Sequence, residues 1–228
     1  MKDKREFYSR LEISDSYDQQ RFGGRSGARV NEREIEIALN MLPEQGRVLD
    51  LACGTGRLGR ALLHRGSSVV ALDYSVPMAA KTSAAGVRTV VADAFRTPFQ
   101  NQSFDAVASL RFAFHCPDLE PLLCEMDRLT DIGGSIVFDT YSWSPRAAWA
   151  VAAGRWGGRV YRHTPTAVRA LVARLGLEVE RAKPCFLFSP YLYRLVPFRA
   201  EQAFEALENW VPASWLCRVF WKLHPSLR

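Results

Sequence analysis

The segment Val48–Gly59, VLDLACGTGRLG, constrains the fold more than any other part of the chain. The apolar run Arg47–Ala52 reads as a strand, and it leads directly into Gly54-Thr55-Gly56-Arg57-Leu58-Gly59. A helix follows from Gly56 to His64, with Leu58, Ala61 and Leu62 at inward positions. The glycines let the backbone turn tightly and approach a ligand closely, and the helix N-terminus behind them presents free N–H groups. Such a strand–loop–helix unit points to an open α/β sheet with a ligand at its C-terminal edge. Taken alone, the spacing fits a dinucleotide loop equally well.

The remaining sequence repeats the alternation of strand and helix, which implies a Rossmann-like three-layer α/β sandwich around a mostly parallel sheet. Residues 4–22 read as a polar, aromatic-dotted helix or arm within an N-terminal segment, 1–30. Asn31 is placed to cap the next helix, with Glu34 in capping-box spacing; Ile35, Ile37, Ala38 and Leu42 form its apolar face and Pro43 stops it. Val69–Leu72, ending at Asp73, is a second strand, and Pro77 suits the first turn of a helix to Ala84. Val87–Ala92, ending at Asp93, is a third, and Phe104–Leu110 a fourth. Asp118 can cap a helix to Leu129, Asp131–Gly134 is a turn, and Ser135–Thr140 is a fifth strand. Thr164 can cap a helix to Leu175 ended by Gly176, Leu177–Glu180 opens a sixth strand, and Cys217–Leu223 is a seventh.

At 228 residues the chain fits one domain, 1–228. No apolar run is long enough to span a bilayer, and MKDKREFYSR lacks the apolar core of a signal peptide, so the expected location is cytoplasmic. The five cysteines are scattered and show no C-x-x-C spacing, which argues against a disulfide framework and a metal site. The net charge of +6 is dispersed without like-charge blocks; a solvated basic surface accounts for it, and nucleic acid is not the expected partner. The stretch 184–215 holds Phe186, Phe188, Tyr191, Tyr193, Phe198, Phe204, Trp210 and Trp215. It reads as an aromatic-rich insertion: a lid over an apolar substrate, a surface touching a membrane or partner chain, or added core at the sheet edge, the last favoured for most of these residues.

Three acids end successive strands: Asp50, Asp73 and Asp93. Asp73 stands where a carboxylate accepts from both ribose hydroxyls. Asp93, followed by Ala94-Phe95, can accept from an adenine amine while apolar side chains cover the ring. Asp50 would repel a pyrophosphate but attract a sulfonium ligand with a free amino group, directly or through water, which favours S-adenosylmethionine over NAD. With these residues in place, the chain resembles the class I S-adenosylmethionine-dependent methyltransferases, in VLDLACGTGRLGRAL, VVALDYSVPMAAK, VVADAFRTPFQNQSFDAV and LTDIGGSIVFDTYS. The likeness covers about residues 30–143 and fades toward the C-terminus.

That resemblance implies a seven-stranded sheet whose last strand is antiparallel and inserted between strands five and six. It implies that Asp50, Ala52, Cys53, Gly54 and Gly56 line the methionine end, with Leu110 and Arg111 bordering it. It implies that Asp73 holds the ribose, with Tyr74 and Met78 beside the adenosine, and that Asp93, Ala94 and Phe95 hold the adenine. The segment SYDQQRFGGRSGARVNERE resembles a cofactor-covering arm, which makes Tyr17 and Arg21 candidates to cover the sulfonium and pair with the methionine carboxylate; a solvated mobile arm is the equal alternative.

Methyl transfer needs alignment and exclusion of water, plus a base only where the acceptor must lose a proton. His115, in RFAFHC, is the best single candidate for a base, although packing by Phe112 and Phe114 is the favoured explanation of the two. Tyr141 and Trp143 are candidate walls of an acceptor pocket or rim packing. RFAF at 111–114 replaces the Pro-Pro tetrapeptide of nucleic-acid and protein amino-group methylators. That absence favours a small-molecule acceptor, and the aromatic segment favours an apolar one. The competing readings are an NAD-dependent oxidoreductase and a non-catalytic cofactor-binding regulatory partner. The sequence leaves open the acceptor, the atom methylated and the oligomeric state.

Overall fold

The structure is a computed structural model that describes residues 2–143, 160–187 and 198–225. Its strands are β1 (Arg47–Leu51), β2 (Ser68–Asp73), β3 (Arg88–Val91), β4 (Phe104–Ser109), β5 (Thr130–Tyr141), β6 (Leu177–Cys185) and β7 (Arg218–Pro225). They form one seven-stranded sheet in the order β3-β2-β1-β4-β5-β7-β6. β1 to β5 pair in parallel, and β7 runs antiparallel between β5 and β6. The helices are α1 (Lys2–Tyr8), α2 (Leu11–Phe22), α3 (Gly24–Leu39), α4 (Arg57–His64), α5 (Val76–Ala84), α6 (Glu120–Leu129), α7 (Pro165–Arg174) and α8 (Phe198–Leu207).

The two-residue period of a strand sends alternate side chains to opposite faces, and both faces of this sheet are covered. Leu49, Leu51, Val107, Phe138 and Trp221 pack with Leu122, Met126 and Val172 from α6 and α7. Val48, Val69, Ala71, Val137 and Phe220 pack with Ala38, Leu58 and Leu62 from α3 and α4. Among the described residues, no helix is long and apolar enough to cross a membrane.

Local signals hold at several ends. Ser75 Oγ accepts from Met78 N at the start of α5, where Pro77 fills the first turn. Thr164 Oγ1 accepts from Ala167 N, and Gly176 (φ +70°) ends the turn after α7. Asp118 Oδ1 accepts from Glu120 N at the start of α6.

Two expectations are corrected. Asn31 caps nothing: α3 begins at Gly24 after the extended Gly23, and Asn31 Oδ1 accepts from Arg57 instead. Tertiary partners have taken both members of the apparent capping box, since Glu34 binds arginines. The Asp131–Gly134 turn is a bulge inside β5, where the register with β4 jumps from Phe104↔Thr130 to Ala106↔Ser135; Gly133, at φ +78°, absorbs it.

Of the aromatic insertion, Phe186 is buried and Phe204 packs against the α3/α4 core, whereas Trp210 and Trp215 are 87% and 61% exposed. The side chains of Phe188, Tyr191, Tyr193 and Phe198 lie outside the described residues.

Candidate functional site

A cavity of about 130 Å³ opens at the C-terminal edge of β1–β4. Its floor is the glycine loop. Gly54 takes φ +57° with open space where a side chain would stand, so a ligand can approach the backbone there. Gly56 takes φ +76°, and a Cβ would sit 2.8 Å from the Thr82 side chain. Gly56 therefore turns the chain against α5 and does not line the cavity. Thr82 Oγ1 in turn donates to Gly54 O.

Asp73 lies on the cavity wall. Its two oxygens accept from Gly54 N and Ser75 N, each at 2.8 Å. Burial raises its pKa, and the backbone N–H groups of Ser75, Gly54 and Tyr74 work against that rise. Asp93 also lines the cavity, with Oδ1 accepting from Phe95 N at 3.1 Å and Oδ2 paired with Arg5 Nη2 at 2.5 Å. Tyr17, Ala52, Cys53, Tyr74, Met78, Ala94, Phe95, Leu110, Arg111 and His115 complete the expected residues that meet at this cavity.

Asp50 is not among them. In register it pairs with Ala71, so Asp73 stands two residues nearer the edge, about 7 Å at ~3.3 Å per residue. Asp50 points to the α4 face, where Oδ2 accepts from Gly59 N at 2.9 Å. Burial pushes its pKa up to about 7, against the opposing Gly59 N–H and Arg57. Asp50, expected to line the methionine end, is instead an anchor between β1 and α4. Arg21 is also outside the lining; its guanidinium lies 5.7 Å from the centre of the Tyr17 ring. Tyr141 is core, its ring tilted against Phe114 with centroids 4.4 Å apart, and Trp143 Nε1 donates to Trp215 O; neither lines the cavity.

The sequence reading missed Arg5, Tyr8, Thr55, Arg57, Ser75 and Phe112 in the lining. The first two belong to a strap. Besides the Arg5–Asp93 pair, Tyr8 O accepts from Ser75 Oγ, Ser14 O from Lys81 Nζ, and Asp18 Oδ1 from Thr55 Oγ1. α1 and α2 are therefore tied to the loops after β1, β2 and β3. The Arg5 guanidinium lies 4.5 Å from the Tyr74 ring centre, and Tyr8 meets His115 edge-on at 5.7 Å.

Behind the β1 and β4 loops lies a buried ionic cluster. Glu34 bonds Arg57, Arg111 and Arg218, and Asp139 bonds Arg218. Burial alone would raise the Glu34 pKa, but Arg111, Arg218 and Arg57 hold it down at about 2.

The arrangement can hold an adenosyl ligand: two carboxylates at neighbouring strand ends, apolar cover between them, and an open glycine turn beside them. Comparisons with known proteins agree. The "Methyltransferase domain" family matches residues 49–138. A demethylmenaquinone methyltransferase of Thermus thermophilus is 33% identical over 183 residues, 69% of this chain and 81% of that protein. One from Thermobifida fusca is 31% identical over 59% of this chain, which spans 63% of its length, less than two thirds. The fold is similar to that of geranyl diphosphate C-methyltransferase from Streptomyces coelicolor A3(2), solved with geranyl diphosphate and S-adenosyl-L-homocysteine, at a TM-score of 0.66, 19% identity, and 87% and 80% coverage of the two chains. On the family match and the Thermus relative, this chain belongs to the class I S-adenosylmethionine-dependent methyltransferases.

Proposed function

We propose that the enzyme transfers a methyl group from S-adenosylmethionine to a small apolar acceptor carrying an ionisable hydroxyl, of the hydroxylated quinone-precursor class. The observation that carries this reading is the meeting of Asp73, Asp93 and the β1 and β4 loops at one cavity. Asp73 takes the ribose hydroxyls, Asp93 the adenine amine, and Met78, Ala94 and Phe95 cover the ring. Leu110 and Arg111, on the far side of the glycine loop, border the methionine end, with Ala52, Cys53 and Gly54 between. When bound, the cofactor supplies an electrophilic methyl group on a cationic sulfur.

Phe112, Tyr8 and His115 add further rings to the wall beside those assigned to the cofactor, which suits a flat apolar acceptor, and on this reading His115 takes its hydroxyl proton. The relatives' names point to the same acceptor class. The exposed Trp210 and Trp215, with half-exposed Leu207, suit contact with a membrane from which a lipid-soluble acceptor is drawn by a cytoplasmic protein.

Calorimetric titration with S-adenosylhomocysteine and NAD in parallel tests the cofactor reading. Binding of the first alone is expected, and binding of NAD alone would overturn it. Methylation assays against hydroxylated quinols and against polar amines of similar size test the acceptor class, with turnover expected only on the quinols.

A further inference from the structure

Two residues in the cavity wall hold left-handed backbone without being glycine: Ala52 at φ +59° and Arg111 at φ +60°. They lie just past the ends of the adjacent strands β1 and β4. Such a conformation is costly for a residue with a side chain and persists only where the surroundings impose it. For Arg111 the imposing groups are visible. Its backbone N–H donates to Asp139 Oδ1, a fully buried carboxylate on β5, at 2.6 Å. Its guanidinium Nη1 donates to Glu34 Oε1 at 2.7 Å. Arg218, fully buried on β7, closes the ring: Nε and Nη2 donate to Asp139 Oδ2 at 3.1 and 2.6 Å, and Nη1 donates to Glu34. Arg111 is gripped at both ends by carboxylates that share one arginine.

In a trans peptide the N–H and the preceding carbonyl point in opposite directions. With the Arg111 N–H turned down to Asp139, the Leu110 carbonyl is turned away from the buried cluster, and Leu110 itself lines the cavity. We propose that Asp139 is a positioning residue for cofactor binding. It orients the Leu110–Arg111 peptide so that the Leu110 carbonyl meets the ammonium of the cofactor's amino-acid end. This rests on the reading that places the adenosine at Asp73 and Asp93, which leaves the amino-acid end to the β1 and β4 loops.

Two ligands separate positioning from general structural support. S-adenosylhomocysteine carries the amino-acid tail; 5′-methylthioadenosine carries the same adenosine without it. By calorimetry on the full chain, Asp139→Ala is expected to weaken S-adenosylhomocysteine at least about tenfold and to change 5′-methylthioadenosine by less than about twofold. Asp139→Asn keeps the shape and an acceptor oxygen, and is expected to show a smaller loss that is still confined to S-adenosylhomocysteine. It carries the test if the alanine variant does not fold. Equal losses on both ligands, or an unchanged S-adenosylhomocysteine affinity in either folded variant, would overturn the positioning role. Failure of the unaltered protein to bind either ligand would instead overturn the cofactor reading beneath it.

Discussion

Arg5 stands where the adenine amine is assigned. Asp93 Oδ2 holds Arg5 Nη2 at 2.5 Å, while Oδ1 holds the Phe95 N–H. For the amine to reach this carboxylate, Arg5 must give up its place, so Arg5→Ala is expected to tighten the binding of S-adenosylhomocysteine. The pair is about one-third exposed on each side, 33% and 30%, which limits it to roughly 0.5 kcal/mol after solvent screening. The guanidinium over the Tyr74 ring at 4.5 Å adds about 0.5 kcal/mol. Removing both competitors is worth about 1 kcal/mol, or roughly fivefold in Kd. Calorimetry of both proteins at low salt reads this directly. Because the pair is screened by salt, raising the ionic strength is expected to shrink the difference. Weaker binding in Arg5→Ala would refute the reasoning, for it would mean that Arg5 covers the bound cofactor and does not compete with it.

Asp73→Ala removes the acceptor of two loop amides together with the proposed ribose contact, and S-adenosylhomocysteine binding is expected to weaken by roughly 1–3 kcal/mol in the same titration. Gly56→Ala puts a methyl group 2.8 Å from Thr82 at φ +76°; urea unfolding is expected to show a loss of about 1–3 kcal/mol. Glu34→Gln leaves three arginines around a neutral amide, and a loss of about 3–5 kcal/mol is expected by the same method. Glu34 also sets an acid limit. Its carboxyl is lowered from 4.5 to about 2 in the fold, so its contribution is present in full above pH ~4.5 and is lost as pH falls toward 2, on the order of 3 kcal/mol. A pH series of unfolding midpoints checks this, and Glu34→Gln is expected to lack that acid step.

The order of strands and helices was legible in the sequence because each element is written by neighbours a few residues apart: the apolar run into the glycine loop, Pro77 in a first helical turn, Thr164 as a cap. Asp73 and Asp93 were legible for the same reason, since each closes its own strand. Asp50 looked like a third member of that series, but the β1–β2 register, which no local pattern carries, sets it two residues below the edge. Asn31 and Glu34 look like a capping box until Arg57, Arg111 and Arg218 arrive from other elements.

The sequence by itself thus determined the sandwich, the glycine turn and the two carboxylates that line the cavity. Only the tertiary structure decided that Arg5 sits on Asp93 and that Glu34, Asp139 and Arg218 brace the β4 loop. The physical reason is range. Periodicity, capping and turn geometry act between residues close in the chain, whereas a buried ion pair forms between whichever charges the packed layers bring together, because a charge removed from water must find its partner there.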